Sequence, residues 1–163
     1  MKKHIHCLVL TCLAAAAGFL LGFRISDRKA RTKEEESGKL AEKNRTQFFV
    51  VNQWLKLKQM GGNISNYLNE RGYEKAAVYG MSYTGERVLF ELKNAGIEVA
   101  YGIDKRAGGA ASEIDILSLD DDLPVVDVVI VSEAFCYEEV EPILSRKLSC
   151  PVISLEEVVF ESS

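Results

Sequence analysis

Apolar residues in this chain are spaced in two alternating rhythms, one of strands and one of helices. Ala76 to Tyr79 is a short apolar run that breaks at Gly80, as a buried strand does. A second glycine follows at Gly85. From Glu86 to Asn94 the apolar residues Val88, Leu89 and Leu92 recur at helical spacing, with Ala95 just beyond. Strand, glycine turn and helix in that order form the opening of a nucleotide-binding βαβ unit.

The same alternation continues to the C-terminus. A helix over Thr84 to Ala95 ends near Gly96, and Ile97 to Ile103 supplies a second strand that closes at Asp104. Ala107 to Ser112 is small and glycine-rich and reads as a loop, and Ile114 to Leu119 reads as a short third strand. Asp120-Asp121-Asp122 makes a solvated turn before Pro124. Val125 to Ser132 is the strongest strand, a β-branched run typical of a parallel strand covered on both faces. Tyr137 to Leu148 is helical with Pro142 in its first turns, Val152 to Leu155 is the last strand, and Glu156 to Phe160 is a closing helix. The fold class is therefore α/β: a Rossmann-like, doubly wound parallel sheet of about five strands in the order 3-2-1-4-5.

Before the first strand, Phe48, Val51, Trp54, Leu55 and Lys58 recur at helical intervals, with Phe49 and Leu57 beside them. They predict an amphipathic helix that starts at Gln47 and stops at Gly61-Gly62. Asn63 caps a second short helix carrying Ile64, Tyr67 and Leu68, which ends at Gly72. Trp54, the single tryptophan, reads as a core or domain-docking residue rather than a ligand contact.

Farther upstream, Ile5 to Phe23 is apolar and holds no formal charge apart from His6 when protonated. That length suits a transmembrane helix, which needs roughly 20 apolar residues. A cleaved signal peptide is the rival, with Ala14-Ala15-Ala16 as its small-residue site. Cleavage there would leave an apolar G-F-L-L-G-F at the new terminus, which favours an uncleaved anchor. Arg24, Arg28, Lys29, Arg31 and Lys33 follow the span, against Lys2 and Lys3 before it. This bias predicts a single-pass protein of the inner membrane with its C-terminal body in the cytoplasm. Four segments result: a transmembrane anchor at 1–24, a charged linker at 25–46, a helical lead-in at 47–74 and a Rossmann-like domain at 75–163.

The formal charge of −4 hides an asymmetry, because residues 1–33 hold seven Lys/Arg against one acid, Asp27. The acidic remainder has no basic stripe and argues against nucleic acid as a partner. Cys7, Cys12, Cys136 and Cys150 form no C-x-x-C pair, and the two histidines, His4 and His6, lie at the N-terminus, which argues against a zinc site. Cys136 and Cys150 read as small buried hydrophobes.

In a dinucleotide fold the first glycine permits the tight turn, the second admits the pyrophosphate and the third lets helix pack on strand. Here the six positions are Gly80, Met81, Ser82, Tyr83, Thr84 and Gly85, with Ser82 in place of the middle glycine. The Ser82 hydroxyl and the N–H groups of the helix start remain as phosphate ligands. Glu86 in the first turn already complements the positive helix end and repels an anion. Asp104 ends the second strand, where an acid bonds a ribose 2′-hydroxyl, and Lys105-Arg106 beside it suit a 2′-phosphate. Ser132, Glu133 and Tyr137 follow the fourth strand at the crevice of such sheets. The candidate ligand set is thus Gly80, Met81, Ser82, Tyr83, Thr84, Gly85, Asp104, Lys105 and Ser132, for NAD(P) or a nucleotide-sugar. Tyr101 and Lys105 match a Tyr-x-x-x-Lys spacing, but on a strand running into a loop rather than on one helical face. With no histidine after His6, the body lacks a base poised near neutral pH.

Asn52-Gln53-Trp54-Leu55, Arg71-Gly72-Tyr73, Val78-Tyr79-Gly80-Met81, Gly102-Ile103-Asp104 and Cys150-Pro151-Val152-Ile153-Ser154-Leu155 stand together in this chain. In combination they resemble a Rossmann-like domain of bacterial capsule and polysaccharide biosynthesis loci, over about residues 48–160. In that setting the domain occurs alone or appended to glycosyltransferases and sugar-modifying enzymes. The resemblance implies a module that binds a nucleotide, dinucleotide or nucleotide-sugar for polysaccharide assembly, with a glycosyltransferase or other assembly protein as partner. The membrane anchor lies outside the resembling stretch and tethers the module on the reading of its own residues. The alternative is a non-catalytic docking protein whose crevice has lost its ligand. An oxidoreductase or epimerase acting alone stands third.

Overall fold

Five parallel strands form one sheet in the computed structural model, which describes residues 33–105 and 113–162. They are β1 (Lys75–Tyr79), β2 (Glu98–Ile103), β3 (Ile116–Leu117), β4 (Val128–Val131) and β5 (Val152–Ser154), in the spatial order β3-β2-β1-β4-β5. The predicted architecture and strand order are those observed. Around the sheet lie α1 (residues 44–59), α2 (Ile64–Glu70), α3 (Tyr83–Asn94), α4 (Tyr137–Lys147) and α5 (Leu155–Glu161), with a 3-10 turn at Ala134–Cys136.

The chain divides into two units, Met1–Lys43 and Asn44–Ser163. In the first, residues 33–43 are helical and solvent-exposed, as their charge-dense sequence suggests. Among the described residues no helix is long and apolar enough to cross a membrane, and the predicted span Ile5 to Phe23 lies outside them.

In the second unit, strand periodicity divides the core between the two faces of the sheet. Ala76 and Val78 of β1 and Val128 and Ile130 of β4 enter one cluster, while Ala77, Tyr79, Val129 and Val131 enter the other. The first face is covered by Val50, Trp54 and Leu57 of α1, Ile64 and Leu68 of α2, Val88 and Leu92 of α3, and Leu155 and Val158 of α5. The second is covered by Val140 and Leu144 of α4 with Val126 and Leu148.

Several predicted details are corrected. The series expected on α1 is split: Trp54 is in the core as read, with Val50 and Leu57, but Phe48 and Leu55 point outward, 73% and 55% exposed. The helix is apolar on two sides, and polar partners select between them: Trp54 Nε1–H donates to Glu91 of α3 at 3.1 Å. Leu57 also folds over Gly62, where a Cβ would lie 2.2 Å from its Cδ1. The third strand shrinks to two residues paired with Gly102 and Ile103. The fourth begins only at Val128. Its first predicted residues turn away so that the Asp127 carboxylate can accept from the Glu74 and Lys75 amides at 3.0 and 2.8 Å. Cys136 and Cys150 are half-buried at the edge of the second core cluster rather than fully buried.

Burial has consequences for the phenols. Tyr101 donates to the Pro124 carbonyl at 2.7 Å, and burial pushes its pKa up to about 12. Tyr67 donates to Glu157 at 2.7 Å and is raised further, by burial first and then by that carboxylate. A folded-state pKa above the unfolded value near 10 favours the fold at lower pH. The contribution is therefore complete below pH ~10 and lost as pH rises toward about 12. The urea midpoint should fall steeply across that window, and Tyr101→Phe should flatten part of the fall. A midpoint that stays level to pH ~12 would contradict the burial of these hydroxyls.

Candidate functional site

The site grows from the end of β1. Gly80 takes a positive φ of +86°, a conformation that side chains disfavour, and its N–H continues the ladder to the Ile103 carbonyl at 2.9 Å. The chain then turns straight into α3, and the turn is so tight that a Cβ on Gly85 would lie 2.1 Å from the Gly80 oxygen. That same oxygen accepts from the Ser132 hydroxyl at 2.6 Å, which joins the end of β1 to the end of β4. Gly80 and Gly85 thus do what the first and third glycines of a dinucleotide turn do.

The remaining predicted positions are arranged differently. Ser82 is the N-cap of α3, yet its side chain makes no capping bond, and Tyr83 is 87% exposed. Met81 donates its N–H to the Asp104 carboxylate at 3.0 Å, and its side chain covers Gly102, where a Cβ would meet Met81 Cγ at 2.6 Å. Asp104 therefore sits at the tip of β2 as expected, but it is tied to the glycine turn. Lys105 next to it is exposed. Tyr137 donates to the Val152 carbonyl at 3.0 Å, and Tyr101 to that of Pro124, so neither hydroxyl faces the crevice chemistry.

Between the loops that follow β1 and β4 lies the switch point at which ligands enter open α/β sheets. A side chain of the protein itself bridges it. Gln47 of α1 donates through Nε2 to Thr84 Oγ1 at 3.0 Å and to the Ser132 carbonyl at 3.1 Å, and its Oε1 accepts from the Ala134 amide at 3.2 Å. Residue-by-residue reading for a ligand site passes over Gln47 because it lies in the lead-in helix. The signal was nonetheless present. Gln47 leads the series Gln47, Val50, Trp54, Leu57, whose three- and four-residue steps put it on the buried face.

The surroundings are acidic. Burial is the main reason the Tyr79 phenol is raised, and Cys136, Glu133, Asp104 and Glu139 push it the same way. Glu133 lies against the turn, its Cγ 3.1 Å from where a Gly80 Cβ would stand, and Glu86 occupies the first turn of α3. Among the described residues no group of three or more His, Cys, Asp or Glu is placed to hold a metal ion. Gln47 thus spans the switch point, and Asp104 is bonded to the Met81 N–H.

Comparison of the chain with protein-family models, with curated proteins and with solved structures finds no match.

Proposed function

We propose that the domain is a non-catalytic docking module, tethered at the cytoplasmic face of the inner membrane and accessory to polysaccharide assembly. The tether and the setting are carried by the sequence: the apolar run Ile5 to Phe23, the basic residues after it, and the resemblance given above. The docking role is carried by one observation, the three hydrogen bonds with which Gln47 closes the switch-point crevice. A part-buried amide with both its donor and its acceptor engaged is costly to displace. The acidic rim adds to that cost for an anionic ligand.

Titration with NAD(H), NADP(H) and UDP-sugars tests the reading. A ligand at 100 times its dissociation constant adds about 2.7 kcal/mol of stability, so binding is visible as a thermal shift. None is expected for the unmodified chain. A clear shift with any of these ligands would overturn the docking reading.

A second reading, nucleotide or nucleotide-sugar binding, is favoured by the Gly80–Gly85 turn and by Asp104 at the end of β2. On that reading Gln47→Ala opens the crevice, and the variant gains a thermal shift that the parent lacks.

A further inference from the structure

We infer that the outward face of α1 is a docking surface for an anionic lipid bilayer. This helix has two apolar faces, and the sheet uses one. On the other, Phe48, Val51 and Leu55 stand three and four residues apart, 73%, 40% and 55% exposed, in a single strip along the helix. Phe49 stands apart from the strip on the side of α5, its ring 5.9 Å from that of Phe160.

Charge segregates along the sequence. Residues 44–69 contain Arg45, Lys56 and Lys58 and no acid, whereas residues 70–163 contain eight Lys/Arg and 19 Asp/Glu. Lys58 pairs with Glu91 at 3.4 Å, and Arg45 and Lys56 flank the aromatic strip along the helix. An anionic surface draws in such a face and repels the acidic remainder, so the field alone orients the domain. Phenylalanine and leucine between lysine and arginine are the composition of helices that lie in a membrane interface, their apolar side buried about 5–10 Å. An acidic protein partner has less use for Phe48, the most exposed residue of the strip. The inference rests on the tethered reading for the high local concentration of bilayer beside α1.

The full chain and its Phe48→Trp variant, reconstituted in phosphatidylglycerol–phosphatidylcholine vesicles with brominated acyl chains, provide the test. Trp54 is only 7% exposed, so its emission is a steady background against which the new indole is read. In anionic vesicles the added emission should fall to about half or less, since the indole reaches the acyl boundary. It should recover in pure phosphatidylcholine or at high salt. Adding Leu55→Glu, at an exposed position, should abolish the quenching without unfolding the domain. Unquenched emission in anionic vesicles overturns the inference. Emission that instead follows protein density at fixed lipid composition overturns it in favour of a second copy on the strip. Carbonate washing separates the two readings: a chain that stays in the vesicles but is unquenched keeps its tether and loses this surface. A chain that washes off after being quenched keeps the surface and loses the tether, and one that washes off unquenched loses both.

Discussion

Glu91→Ala should lower the unfolding free energy by about 3 kcal/mol and loosen α1 from the sheet. The Glu91 carboxylate accepts from the Ile64 amide at 2.8 Å and from Trp54 Nε1–H at 3.1 Å, with Lys58 at 3.4 Å. It thereby joins α3 to α1 and to the start of α2, and its side chain is only 11% exposed. Hydrogen bonds to a charged group are worth about 1.5–3 kcal/mol each, and the alanine leaves two donors partly buried without a partner. The ion pair adds little, because Lys58 is 42% exposed and screened by solvent. Urea unfolding followed by Trp54 fluorescence measures both effects, with a red-shifted native emission as the sign that the indole has lost its seat. A loss below about 1 kcal/mol with unshifted emission would show that packing alone holds α1.

Gly85→Ala should be of similar size, about 3 kcal/mol or more, for a different reason. Its Cβ would stand 2.1 Å from the Gly80 oxygen, which is backbone and is also held by the Ser132 hydroxyl at 2.6 Å. Relief requires α3 to move away from β1. Alanine is the better helix former by about 1 kcal/mol, so a purely local effect would have the opposite sign. Gly96→Ala provides the control. Gly96 also has a positive φ, +81°, but nothing lies within 4 Å of its Cβ position, so it should cost only the conformational ~1–2 kcal/mol. Thermal unfolding of the pair checks the ranking, and equal losses would remove the steric argument.

Strand order was legible because β-branched runs and glycine turns are local signals that a parallel sheet assembles in only a few ways. The role of Gly85 was legible for the same reason, since a third glycine in the motif has one structural use. The face of α1 was legible only at Trp54. Phe48, Val51 and Leu55 score as well as Val50, Trp54 and Leu57 in any periodicity count, and the decision fell to the polar partner Glu91, 37 residues away from Trp54. In the crevice Met81, Ser82, Asp104 and Ser132 stand where expected, while the spacing of Gln47 marks it only as a residue of the buried face of α1 and not as the partner of Ser132, 85 residues away.

Gln47 also has mechanical meaning. It lies three residues inside the globular unit, which begins at Asn44, so tension drawn along the chain from its N-terminal side reaches it before Val50, Trp54 or the Glu91 junction. Hydrogen bonds loaded one after another part at lower force than an interface loaded all at once. A steady pull would thus strip the Gln47 amide from Thr84, Ser132 and Ala134 first, unzipping the start of α1 while Trp54 still holds the rest.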